Sequence, residues 1–115
     1  MIQKEKQLLL KDLCARLPYG VICEFTHSDG RKENFKFKGK HFDYLVECKP
    51  YLRSLSSMNE VEKDDYQYIT ERWMYDASYS IADSLDWLNE HHFDYRGLIE
   101  RGLALEAPEG MYKTE

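Results

Sequence analysis

Four histidines and three cysteines carry most of the reactive chemistry in this 115-residue chain, so their spacing is the first thing to read. His91 and His92 are adjacent, and neighbours on a helix point about 100° apart, so the pair cannot chelate one metal as an i, i+4 pair would. Further ligands would have to come from His27, His41, a cysteine or an acid, and no spacing here resembles a zinc signature. The pair therefore reads as the end of a helix, where cationic side chains favour the dipole and bond the last carbonyls. No metal and no cofactor is expected.

Nucleophilic catalysis needs a cysteine or serine beside a base. Cys14 and Cys23 fall on apolar faces, where a free thiol behaves as a small buried hydrophobe. Cys48 alone is left open, with His41 near it in sequence. No nucleophile motif, phosphate-binding glycine loop, dinucleotide fingerprint or zinc-protease helix is present. No catalytic residue is assigned, and a thiol or metal-dependent enzyme built on Cys48 and the histidines stands as the third reading.

Lys32, Lys36, Lys38 and Lys40 alternate with aromatic residues in KENFKFKGK, a pattern that could track phosphates while rings stack on bases. Lysines on an exposed strand also block sheet extension, which is their commoner purpose. Phe35 and Phe37 point to the other face of the same strand, away from the lysines, and the whole chain is acidic. Nucleic-acid binding through these four lysines is the second reading.

YQYITERWMYDASY supports the leading one. In a helix over residues 60–77, Tyr66, Ile69, Trp73 and Ala77 form one stripe, while Val61, Tyr68, Tyr75 and Tyr79 form a second about 130° away. One stripe faces the core. The other is either part of a wide core face in a domain short of aliphatics or a binding surface, since exposed tyrosine-rich patches are typical of interfaces. Tyr68, Tyr75, Tyr79 and Val61 are thus the partner-binding candidates. They would serve a non-enzymatic interaction or regulatory protein that binds another protein or a second copy of itself.

The elements that position these residues follow from punctuation and periodicity. Leu9, Leu10, Leu13, Cys14 and Leu17 mark one face of a helix over residues 2–17, ended by Pro18. GVICEFTHSDGRKENFKFKGK reads as a β-hairpin. A two-residue turn at Asp29-Gly30 would mix apolar and charged residues on each face, whereas a three-residue loop of Ser28, Asp29 and Gly30 pairs Cys23 with Phe35 and Val21 with Phe37. The second register is preferred. DYLVECK, residues 43–49, reads as a third strand that Pro50 limits, and YLRSLSSM as an irregular connection.

Asn59 and Glu62 have capping-box spacing and open a helix at Glu60. Ser80 and Asp83 repeat the signal for a helix running to about His91, with an apolar line of Ile81, Leu85 and Leu88. Asp94 caps a short helix through Ile99, closed by Gly102, and LALEA adds a short strand before Pro108. The expected fold is α+β: an N-terminal helix, a small antiparallel sheet of about three strands, and two C-terminal helices packed on it.

Length points to a single domain spanning residues 1–115. Leu, Ile, Val and Phe make up only 26 residues, and nine Tyr and two Trp supplement them, so the core should be rich in aromatics. Charge is uneven: residues 1–53 hold 11 Lys and Arg against 7 Asp and Glu, and residues 54–115 hold 5 against 14. Such a dipolar chain favours partners with a complementary patch over uniform binding to a polyanion. No apolar run reaches membrane-spanning length and no secretory core opens the chain, so a cytoplasmic protein without a membrane partner is expected. The odd count of scattered cysteines agrees with reduced thiols.

At LLLKDLCARLPYGV, CKPYLRSLSSM and DWLNEHHFDYRGLIERGLALEAPEGMY the chain resembles a family of small proteins from gut anaerobic bacteria and their phages or mobile elements. These strings cover somewhat under half of the sequence. The family has no assigned activity, so the resemblance transfers no catalytic residue. It implies a cytosolic protein from mobile DNA, where small regulatory and host-interacting proteins are common.

Overall fold

The hairpin turn sets the sheet. In the computed structural model, which describes residues 2–76 and 80–112 and leaves out the side chains of Val46, Trp73 and Met74, β1 (Ile22–Thr26) pairs antiparallel with β2 (Lys32–Lys36). Cys23 lies opposite Phe35 and Thr26 opposite Lys32. The His27 amide donates to Arg31 O at 2.8 Å, which closes the three-residue loop that face-matching predicts. Gly30 takes the left-handed position at φ 90°, where any side chain would be strained. Beyond the strands, Phe37 N donates to Val21 O at 2.8 Å, so the predicted register extends to that pair.

The predicted third strand is displaced. Residues 39–47 form a 3-10 segment kinked at Tyr44, and β3 runs over Cys48–Leu52. Phe42 and Leu45 are three residues apart and both reach the core; strand alternation would send them to opposite faces. Pro50 lies inside this central strand. It stands opposite Cys23, while pairing on the other side begins only at Tyr51, which meets Leu105 of β4 (Leu105–Glu106) in a parallel ladder. The sheet is therefore mixed and four-stranded, in the order β2-β1-β3-β4, within the expected α+β class.

Helix α1 (Gln3–Arg16) forms as predicted but rotated. Leu9, Asp12, Leu13 and Arg16 are buried, whereas Leu10 and Cys14 are exposed. An ion pair decides the face: Arg16 Nε donates to Asp12 Oδ2 at 2.8 Å with both side chains fully buried. Arg96 Nη1 reaches the other Asp12 oxygen at 2.8 Å, and Arg16 Nη2 donates to Phe93 O at 2.5 Å. The partners for these charges lie on the 93–96 segment, so α1 turns them inward.

Helices α2 (Glu60–Tyr75) and α3 (Ile81–Glu90) start where the capping spacing places them. On α3 the expected apolar line fails at two of three positions: Ile81 and Leu85 are exposed, and Ser84, Trp87, Leu88 and Asn89 are buried. Trp87 redirects the helix by stacking on Phe93 with ring centroids 5.7 Å apart and by packing against Tyr66 at 5.5 Å. Among the described residues no helix follows Asp94. Its carboxylate accepts from Leu98 N and Ile99 N at 2.9 and 3.0 Å, but Gly97 at φ 74° breaks the helical path and the segment stays a series of turns.

Two cores result. One fills the space between sheet and α1, with Leu9, Leu13, Val21, Cys23, Phe37, Cys48 and Leu52 at its centre. The other is Trp87, Leu88 and Phe93, with Met58, Tyr66, Ile69 and Tyr95 around them. The chain is elongated, 53 × 29 × 24 Å, with a radius of gyration of 15.1 Å. A compact domain of this length would have about 13 Å. Among the described residues no helix is long and apolar enough to cross a membrane.

Candidate docking surface on helix α2

The orientation of α2 is fixed at its first turn. Asn59 Oδ1 accepts from Glu62 N at 2.8 Å while Asn59 N donates to the Glu62 carboxylate at 3.0 Å, completing the capping box. The same carboxylate accepts from Arg53 Nη1 and Nη2 at 2.7 Å each. Arg53 is anchored in turn: its guanidinium lies 4.2 Å from the Phe93 ring centroid, its N donates to His92 O and its O accepts from Asp94 N. Hydrogen bonds from Arg53 hold the Glu62 carboxyl below the usual carboxylate range, against the opposing effect of burial.

With Glu62 clamped inward, a rotation of 100° per residue sends Tyr66 and Ile69 toward Trp87 and turns Val61, Tyr68 and Tyr75 outward. Both groups lie where that rotation puts them. Tyr66 and Ile69 pack on the second core. Val61, Tyr68 and Tyr75 are 67%, 54% and 82% exposed. Their seven-residue spacing makes a nearly straight ridge, roughly 21 Å long at 1.5 Å per residue. Glu60, Asp64, Asp65 and Glu71 flank it within about 80° of rotation, and the only cation on that side from Glu60 to Tyr75 is Arg72. The Arg72 guanidinium sits 5.2 Å from the Tyr68 ring centroid. Tyr79, the fourth member of the predicted stripe, lies outside the described residues.

The other candidate residues are not gathered into one site. Lys32 pairs with Glu24 at 3.8 Å. The Lys36 stem lies over Gly20 in a cleft shared with Glu90, and Lys38 and Lys40 lie at the start of the 3-10 segment. Acids thus lie beside two of the four lysines, Glu24 by Lys32 and Glu90 by Lys36.

The histidine pair does finish α3. His91 Nδ1 lies 2.9 Å from Trp87 O and the ring stacks on Trp87 at 4.1 Å. His92 departs from the expected cation. It is buried at φ 63°, stacks on Tyr112 at 3.7 Å, and burial followed by the nearby Arg16 charge pushes its pKa down to about 4. Among the described residues no group of three or more His, Cys, Asp or Glu is placed to hold a metal.

Cys48 is sealed in the first core and its thiol is pushed up to about 11 by burial, the wrong direction for a nucleophile. Burial raises Cys23 further, whereas Cys14, expected inside, is exposed.

Three structural features escaped the sequence: the Arg53–Glu62 clamp, the Asp12–Arg16–Arg96 network and the Tyr112 hydroxyl. That hydroxyl accepts from Ile22 N at 2.8 Å and donates to Tyr51 O at 2.7 Å, filling the ladder where β1 and β3 separate. Only the Asp12/Arg16 spacing of four was visible beforehand, and it does not say which way the pair faces. Comparison with known proteins finds no matching family model, no similar curated protein and no similar solved structure.

Proposed function

We propose that this is a non-enzymatic interaction protein, of the regulatory kind expected from a phage or mobile element, that docks a protein partner on the outer ridge of α2. One observation carries the reading: Glu62, Tyr66 and Ile69 face inward from α2, and the helix still presents Val61, Tyr68 and Tyr75 to solvent at a seven-residue repeat. Burying a large apolar side chain contributes about 1.5–3 kcal/mol, so covering three of them is a substantial driving force. Apolar anchors at steps of three to four or seven are the way one helix reads another.

Charge selects the partner. In an antiparallel pairing of two copies about Tyr68, Val61 would meet Tyr75; Asp65 and Arg72 share one side of the ridge and would pair twice, but Asp64 and Glu71 share the other and would repel twice, so charge adds nothing to self-pairing. The ridge instead suits a helix with apolar anchors and a basic rim, and a homodimer through it is the weaker alternative.

A synthetic amphipathic peptide with leucines at seven-residue steps and lysines beside them should bind, perturbing Tyr68 and Tyr75 resonances. Binding should weaken at least about fivefold in the Tyr68→Ala, Tyr75→Ala double variant and fall with salt. A glutamate-flanked peptide that binds equally well, or wild-type binding no better than that of the variant, would sink the reading. Mass measurement of the free protein tests the homodimer directly.

A further inference from the structure

The hairpin carries a second feature that the docking ridge does not use. Strand alternation puts Cys23, Phe25, Phe35 and Phe37 on the face that packs into the first core, yet it puts Glu33 on that same face, directly opposite Phe25. Toward the hairpin end this face emerges from the core as a cleft of about 400 Å³ lined by Phe25, Glu33, Phe35, His41 and Tyr44. Phe25 and Phe35 stand at 67° to each other with centroids 6.4 Å apart, and Phe25 and Tyr44 at 79° and 6.1 Å. His41 adds a fourth ring, 4.2 Å from Phe35. Tyr44 is the kinked residue of the 3-10 segment and is 54% exposed, so one wall is open to solvent. A second opening on the other side of Phe25 and Tyr44 is edged by Glu47.

We infer that this aromatic cleft binds a methylated ammonium group, on a small quaternary amine or on a trimethylated lysine. Rings at steep angles present both faces and edges, and ring faces attract cations through the quadrupole. An anion would meet Glu33 and Glu47. A primary ammonium is strongly hydrated, and stripping its water costs more than three rings return. A trimethylammonium group spreads its charge over carbon and fits between apolar walls with the Glu33 carboxylate at the lip. Glu33 already lies 3.1 Å from His27 Nε2, which holds it in place at the rim. Lys38 and Lys40 stand near His41 and oppose a cation there; burial first, and then these two charges, hold the His41 pKa down. His41 therefore contributes an uncharged ring at neutral pH.

The test is a titration by chemical-shift mapping with choline, with a short peptide carrying trimethyllysine, and with 3,3-dimethylbutan-1-ol, which has the shape of choline without its charge. Choline or the methylated peptide should shift Phe25 and Tyr44 and bind at least about fivefold more tightly than the neutral alcohol, in keeping with a desolvated cation–π contact. The tighter of the two charged probes identifies the source of the group. Tyr44→Ala, with an amide spectrum that still shows the folded chain, should abolish the shifts, while Tyr44→Phe should keep them and Glu33→Gln should weaken them. Equal affinity for the neutral alcohol, no saturation by either charged probe at tens of millimolar, or undiminished binding by Tyr44→Ala overturns the proposal.

Discussion

His92 shows how one side chain ties stability to pH. Its ring is buried against Tyr112 and its pKa is pushed from 6.5 to about 4. Between those values the unfolded chain binds a proton that the folded chain refuses. The stabilisation is complete above pH 6.5 and is lost as pH falls toward 4, amounting to about 3 kcal/mol at the acid limit. His92→Asn, which tolerates the left-handed backbone, should flatten the dependence of the urea midpoint between pH 6.5 and 5. A slope unchanged from wild type would mean that His92 is not the group responsible. The cysteines differ just as sharply in exposure: a maleimide at neutral pH should label Cys14 rapidly and leave Cys23 and Cys48 unreacted until the protein is denatured. Tyr112→Phe leaves Ile22 N–H and Tyr51 C=O without their shared partner and should cost about 2 kcal/mol in denaturant melts.

At the scale of elements, helix starts were legible and helix faces were not. The boxes at Asn59/Glu62 and Ser80/Asp83 are local chemistry, written within four residues, and both helices begin there. The face each helix buries depends on what it meets. Leu10 and Cys14 yielded to Asp12 and Arg16 because Arg96 and Phe93 O, some 80 residues away, supply the partners. The hairpin register was readable because a slip of one residue would bury its lysines. The strand expected at residues 43–49 was not readable, since a short apolar run has no period of its own to separate a strand from a 3-10 turn. Glu62→Ala removes the carboxylate that accepts from Asn59 N and pairs with Arg53, leaving only the Asn59 side-chain half of the box, and should lower stability by roughly 2–3 kcal/mol while loosening the start of α2. Hydrogen exchange localised to residues 59–69 would report it; protection left intact there would show that the clamp is dispensable.

Across the whole molecule, two small cores are joined by charged residues that reach between them. Asp12 neutralises both Arg16 and Arg96, and Arg16 reaches the carbonyl of Phe93, a member of the second core. Asp12→Ala would leave two guanidiniums without their counter-charge, one of them fully buried, and should cost about 3–5 kcal/mol, read as an earlier urea transition. The elongated shape follows from this plan: α2 packs chiefly on α3, away from the sheet, which is why its outer ridge finds no cover among the described residues.

Taken alone, the sequence determined the α+β class, both capped helix starts, the three-residue hairpin loop and the helical stripe of Val61, Tyr68 and Tyr75, because each is written in contacts between near neighbours along the chain. Tertiary structure decided that this stripe faces water, that His92 is uncharged, that Cys48 is sealed and that Phe25, Phe35 and Tyr44 meet around a cleft. Those outcomes depend on residues distant in sequence, and burial, which sets both charge state and exposure, exists only once they have come together.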